Sequence, residues 1–530
     1  MKKYILIVAI FFTVGIAGCK KDFLSQEVNP NSPSVTTPQL TLAGALATAA
    51  TIINGGINFD YAQYGVWMQY WTNSGNYVPN AALDAFQINN TSFTQPFIDL
   101  YQNITNFNNL ETTSATVPAD ANFQAIAMIM KVYDFQQLVD QWGDVTYSQA
   151  FQPSTILFPA YDSAQSVYND LVKQLDAAIS LINKSPGATN PGISDIVFGG
   201  NMVGWKKFAN SLKLRLAIRQ STVNKANSAA TDLASTASEG YLDGSTDAEA
   251  NPGYSNTAGK QSPFWGNYGV DANGNPTFPN VYYRGNIFFI KALNSYNDPR
   301  LTSVYYGTSA SNGATIGGNA FGDPQGSPTV LSNPSTSGPG PGLLISPGQN
   351  AVLFSGAESL FLQAEALLDG YSVSGAATTP ATAQAAYQAA ITASFVALKA
   401  GTTVSYDPAT GLPAAVSYPS AATSTALAVT YYSQNIANVG WAASASNEQK
   451  AIIYQKWIAL VGYNCLEPYL EYERTGFPVL PNPVSKDPTA VSPTLPIRSY
   501  YPQEELTTNG AQLAKVGTIN IFTTKIFWEQ

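Results

Sequence analysis

AESLFLQAEALL (357–368) and TAQAAYQAAITASFVAL (382–398) are the stretches whose reading decides the fold. In both, apolar residues return every three or four positions, the period of a helix with one buried face. Ala386, Ala390, Phe395 and Leu398 alternate small and large, which lets two antiparallel helices approach closely. A single such pair cannot bury its own apolar face, so further pairs must stack on it.

The same period recurs along the chain. It predicts helices over 41–53, 93–110, 121–142 (Ile126, Met130, Tyr133, Leu138) and 163–182 (Val167, Leu171, Leu175, Ala178, Ile182). In 205–219, Trp205, Phe208, Leu212 and Leu216 form one stripe, with Lys206, Lys207, Lys213 and Arg219 off it. In an acidic chain that basic side reads as a solvated or salt-bridged face, not as a phosphate-binding one. Ser446 with Gln449 three residues on predicts a capping box that opens a late helix bearing Ile453, Trp457, Leu460 and Val461. A helix-turn-helix pair of this size resembles a tetratricopeptide unit, which spans about 34 residues. The predicted fold class is therefore all-α, tetratricopeptide-like helix pairs with long loop-rich excursions over 243–350 and 404–440. Residues 41–530 read as one domain.

The N-terminus sets the location. Lys2 and Lys3 precede an uncharged run from Tyr4 to Gly18 that ends in small residues, the layout of a bacterial export signal. The run is shorter than the ~20 residues a membrane-crossing helix needs. Ile16-Ala17-Gly18-Cys19 resembles a lipobox, in which the Cys19 thiol takes a lipid and becomes the mature N-terminus. Residues 1–18 are then the signal peptide, and 19–40 the anchor and a Pro-, Asn- and Ser-rich tether.

Composition excludes much chemistry. The chain has no histidine, so Ser-His-Asp and Cys-His catalysis and His-ligated zinc are ruled out. With Cys19 assigned to lipid, Cys465 stands alone and reads as a buried small apolar residue rather than a nucleophile. The segment Asp271-Ala272-Asn273-Gly274-Asn275 begins like a calcium loop. Pro276 replaces its required Gly and Tyr282 its bidentate Glu, so it reads as a turn. No metal or cofactor is expected. A net charge of -9 argues against nucleic acid. Low charge beside 30 tyrosines suits neutral polar ligands.

A pyranose offers an apolar face to a flat aromatic ring and hydroxyls to amides. Trp67, Trp71, Asn73 and Tyr77 supply both in one segment, and Trp265, Tyr268, Tyr282 and Tyr283 supply rings in another, within SPFWGNY (262–268) and NVYYR (280–284). The competing reading of each ring is core packing. Glycoside cleavage needs only two carboxylates. Glu467 and Glu471, four apart on a helix, face one way and do not straddle a sugar bond, and Arg474 pairs naturally with Glu471.

Several blocks together are similar to the SusD/RagB family of Bacteroidetes surface lipoproteins: QLVDQWGDVTYSQAF (137–151), WKKFANSLKLRLAIR (205–219), AESLFLQAEALL (357–368), YQKWIALVGYNCLEPYLEYERTGFP (454–478) and LPIRSYYPQEELTTN (495–509). The Asn297-Asp298-Pro299-Arg300-Leu301 turn and the Cys19-Lys20-Lys21-Asp22-Phe23-Leu24 start match as well. The resemblance implies a helical binding protein, not an enzyme. It would be lipid-anchored on the outer face of the outer membrane beside a SusC-like TonB-dependent transporter, to which it delivers captured oligosaccharides. The first aromatic region falls where starch-binding members place part of their sugar platform. Capture of peptides, glycoside hydrolysis and a pure helical scaffold are the alternatives.

Overall fold

The structure is a computed structural model that describes residues 36–55, 62–152, 155–223, 233–373, 375 and 379–529. Cys19, the signal and most of the tether lie outside the described residues.

Helix α1 (Pro38–Ile53) starts three residues earlier than its apolar pattern suggests, because Thr37 caps it and proline is tolerated at the first turn. After the short helix α2 (Ala62–Trp67) and strand β1 (Trp71–Asn73) come α3 (Gln95–Ser114), α4 (Ala121–Trp142), α5 (Ala164–Lys184) and α6 (Met202–Gln220). Consecutive members of α3–α6 pack on each other, and α1 lies against α3. Ser163 caps α5 and Asn201 caps α6 through side-chain oxygens, each cap contributing about 1 kcal/mol. Helix α4 is buried almost all round, so it occupies the centre.

The middle of the chain is loop-rich but not structureless. It holds β2 (Ala248–Ala250), α7 (Pro263–Tyr268), α8 (Phe278–Tyr282), β3 (Tyr283–Gly285), α9 (Ile287–Ser295) and β4 (Ala351–Phe354). The helical body then resumes with α10 (Gly356–Leu368), capped by Ser355, and α11 (Ala383–Ala397), capped by Thr382. These are the two stretches read first from the sequence, and they pack face to face. The second excursion contains a β5–β6 hairpin (Thr403–Tyr406, Pro413–Ser417) and helix α12 (Ala421–Tyr432), which periodicity had not separated from loop. Helices α13 (Glu448–Ala459) and α14 (Leu466–Thr475) complete the set used below. The cap of α13 is Asn447, not Ser446. Its side chain accepts from Lys450 N at 2.8 Å, while Gln449 turns away to donate to Glu365. All-α with tetratricopeptide-like pairs is the observed class; among the described residues the sheets are three, each of two short strands.

The basic side of α6 is salt-bridged. Lys206 pairs with Glu239, Lys207 with Asp243 and Lys213 with Asp176. Arg215 and Arg219 instead enter a buried network with Asp140, Glu358, Glu467 and Glu471, joined by Lys456 and Arg474. Five helices (α4, α6, α10, α13 and α14) are tied by it. Burial alone would raise the Glu471 carboxyl; Arg474, Lys456 and Arg219 override that and hold it well below the usual carboxylate range.

Asp84 is the opposite case. Its Oδ2 accepts from Asn80 N at 2.6 Å, but Oδ1 is buried without a partner. Burial, reinforced by Asp487, pushes this carboxyl up to about 7. A carboxyl raised in the fold costs stability once ionised, so the fold gains as pH falls through 7 toward the unfolded value. Asp84→Asn, which never ionises, is expected to stabilise the protein by about 2 kcal/mol more near pH 8 than near pH 5, read from urea denaturation at both.

Candidate functional site

Strands β1 and β3 bring together the two aromatic segments that lie about two hundred residues apart in sequence. They pair antiparallel with Trp71 opposite Gly285, Thr72 opposite Arg284 and Asn73 opposite Tyr283. Beyond the strand end, Ser74 N donates to Tyr282 O at 2.9 Å. Glycine at 285 allows a close approach, because a Cβ there would press on the Ile290 and Tyr305 side chains at 3.1 Å.

This register lines up a ladder of rings. Phe278 stands at the outer end, 59% exposed. Its ring lies 5.6 Å from Tyr77 and 5.4 Å from Tyr282, and Tyr77 and Tyr282 are themselves 5.4 Å apart. Tyr283 follows edge-on at 4.9 Å from Tyr282, then Tyr268 at 6.2 Å, then the buried Phe264 at 4.9 Å. Tyr77, Tyr268, Tyr282 and Tyr283 are all half-buried, so the ladder descends from solvent to core. Trp265 is half-buried on the same short helix, and its Nε1 has no hydrogen-bond partner. Exposed Asn76 and Asn80 flank Tyr77, and among the described residues their Nδ2 donors engage no acceptor.

The remaining three residues read from the sequence as ligand contacts sit elsewhere. Trp67 is 3% exposed: its Nε1 donates to Leu83 O at 3.1 Å, and Phe86, Phe93, Tyr64 and Tyr469 surround its ring. Asn73 is 4% exposed and spends its Nδ2 on the backbone oxygens of Ser74 and Tyr77, fixing the bend that presents Tyr77. Trp71, 8% exposed, packs edge-on against Tyr305 and, with Tyr268 and Cys465, lines a narrow apolar cavity behind the ladder. These three support the rings from behind and offer no stacking face. The reason is tertiary: α14 and the loop around Phe86 cover α2.

Two contributors escaped the sequence reading. Phe278 sits between Pro276 and Pro279, and a large ring in a proline-rich loop was the available signal. Arg284 lies inside the quoted NVYYR stretch. Its Nη2 donates to Thr336 O at 2.6 Å, Nη1 to Asn280 O at 3.2 Å and Nε to Thr336 Oγ1 at 3.2 Å. No carboxylate pairs with it among the described residues. Burial lowers its guanidinium to about 10, still cationic at neutral pH. It clamps the 333–336 loop onto the ladder strand.

The carboxylates considered for hydrolysis have no access to a sugar. Glu467 and Glu471 are buried among Arg215, Arg219, Lys456 and Arg474. Burial pushes the Cys465 thiol up to about 12, so it stays protonated. Among the described residues no group of three potential ligands is placed to hold a metal, and no helix is long and apolar enough to cross a membrane.

Residues 30–502 match the SusD-like family profile, described as starch-binding and associating with the outer membrane. No curated protein matches the chain. Among solved structures, a chitin-binding protein is 24% identical with a TM-score of 0.70, covering 93% of this chain and 100% of its own. A SusD homolog from Bacteroides uniformis is 24% identical, TM-score 0.66, over 92% and 99%. A SusD/RagB family protein from Bacteroides thetaiotaomicron is 18% identical, TM-score 0.70, over 93% and 99%.

Proposed function

The chain belongs to the SusD-like family, and from that premise we propose that it captures neutral oligosaccharides on the Phe278–Tyr77–Tyr282–Tyr283 ladder. It works as a binding protein, not an enzyme. Cys19 carries the lipid that anchors it in the outer membrane facing the exterior, and a SusC-like TonB-dependent transporter receives the captured ligand.

The observation that carries the reading is the β1–β3 register, which converts two distant segments into one half-exposed run of rings. Successive rings are tilted rather than coplanar, 51° between Tyr77 and Tyr282 and 83° between Tyr282 and Tyr283, so sugars meeting them must turn along the chain. The amides of Asn76 and Asn80 are neutral donors suited to hydroxyls. The guanidinium beside the ladder, Arg284, is already committed to carbonyl oxygens, and the nearby Asp84 carboxyl is buried. A neutral ligand therefore fits better than a charged one.

The test is electrophoresis through native gels cast with a panel of neutral polysaccharides. Retardation by at least one of them, lost in Tyr282→Ala, is expected; free migration in every gel would overturn the glycan assignment. Labelling with a fatty-acid probe should mark the wild type and not Cys19→Ala. Co-purification of a β-barrel partner with the anchored protein tests delivery.

A further inference from the structure

A second cleft, of about 440 Å³, lies where β2 pairs with β4 beside the end of α11, and none of the ladder rings lines it. That volume lies in the range of small-molecule sites. Asp247 and Glu249 line it together with Lys399, Ser346 and Ser355, over apolar surface from Val352 and Val396.

Each carboxylate is fixed through one oxygen and leaves the other unpaired. Asp247 Oδ1 accepts from Gly356 N, at the first turn of α10. Glu249 Oε2 accepts from Asn350 Nδ2 at 2.7 Å. Asn350 is in turn held by Asn251, whose Nδ2 donates to Asn350 Oδ1 at 2.8 Å. Gln349 stiffens the adjoining loop, accepting from Ile345 N at 2.9 Å and donating to Leu343 O at 2.9 Å. The acceptors are thus preoriented by a supporting shell.

Lys399 shares the concavity but forms no ion pair with either carboxylate, nor with any other among the described residues. Opposite charges that line one cleft without neutralising each other match a ligand carrying both. Nearby Asp243 is already paired with Lys207 at 3.1 Å, so it does not compete. Burial, with Glu249 and Asp243 adding repulsion, raises the Asp247 carboxyl to about 6. An incoming ammonium would relieve that repulsion.

We propose that this cleft binds a small zwitterion, its primary ammonium at Asp247 and Glu249 and its anionic group at Lys399. A short peptide and an amino-sugar acid are two sources of that one chemistry, and the site is independent of the glycan ladder.

Isothermal titration of the protein with dialanine and with muramic acid tests it and separates the sources. At least one probe is expected to bind. N-acetylation or amidation of the bound probe should each weaken it tenfold or more. Asp247→Asn should weaken the intact probe at least tenfold. Lys399→Gln, at a half-buried position, should erase the difference between the free carboxylate and its amide. Retardation by polysaccharide gels should be unchanged in Lys399→Gln, so failure here and failure of the glycan reading are distinguishable. Absence of binding by both probes at millimolar concentration, equal binding of the capped forms, or an unaltered Lys399→Gln would overturn the proposal.

Discussion

Arg474→Ala is expected to destabilise the protein by about 3–5 kcal/mol, because it breaks a buried charge network from one side only. Arg474 Nη1 and Nη2 donate to Glu365 Oε1 and Oε2, each at 2.8 Å, and Nε donates to Glu471 Oε2 at 2.9 Å. The guanidinium is fully buried. Without it Glu471 retains Lys456 at 2.8 Å and Arg219 at 3.4 Å, but Glu365 keeps only the neutral Gln449 amide. An uncompensated buried carboxylate is the costly product. Arg474→Met combined with Glu365→Gln, which removes both charges, should therefore recover a substantial part of the loss, and urea denaturation near pH 7 measures both variants. The pH dependence has a definite sign. Glu471 is depressed in the fold, so its contribution is present above the unfolded carboxylate value and fades as pH falls toward the folded one. Acidification should accordingly erode the wild-type advantage over the single variant. If the single variant unfolds at the wild-type urea midpoint, the network does not hold the five helices together.

Which parts of this architecture were legible depends on how local their cause is. Helix α4 is read correctly over 121–142 from its 3.6-residue period alone, and α5, α6, α10 and α11 within three residues, because that period and a capping side chain sit in the same window. The cap at Asn447 was misplaced by one residue, since Gln449 is drawn off by Glu365, a partner 84 positions away. Strands β1 and β3 left no signal: each has three residues, and what defines them is their pairing across the chain. Helix α9 was hidden in the excursion because its run IFFIKALNS is too short for a period to stand out. The aromatic composition singled out the two segments that β1 and β3 bring together. It could not tell Tyr77 from Trp67, since the same ring chemistry serves core and surface, and only the packing of α14 against α2 decides.

That distinction gives the second large effect. Trp67→Ala removes a ring packed against Tyr64, Phe86, Phe93 and Tyr469 and strands the Leu83 carbonyl, so about 3–5 kcal/mol of stability should be lost. Any weakening of glycan binding in this variant should follow its folded fraction and vanish once binding is corrected for it. Tyr282→Ala should do the reverse. Its ring is half-buried and touches Tyr77, Phe278 and Tyr283, with no main-chain carbonyl depending on it for a partner. Stacking one sugar face on such a ring buries roughly 50 Å² of apolar surface, worth about 1–1.5 kcal/mol, or close to tenfold in Kd. Because Tyr77 and Tyr282 touch, the pair Tyr77→Ala and Tyr282→Ala should be non-additive, the second removal costing less than the first. Calorimetric melting and titration with the retarding glycan separate the cases. A Trp67→Ala protein that melts like the wild type yet fails to bind would move the binding face to α2 and refute the ladder.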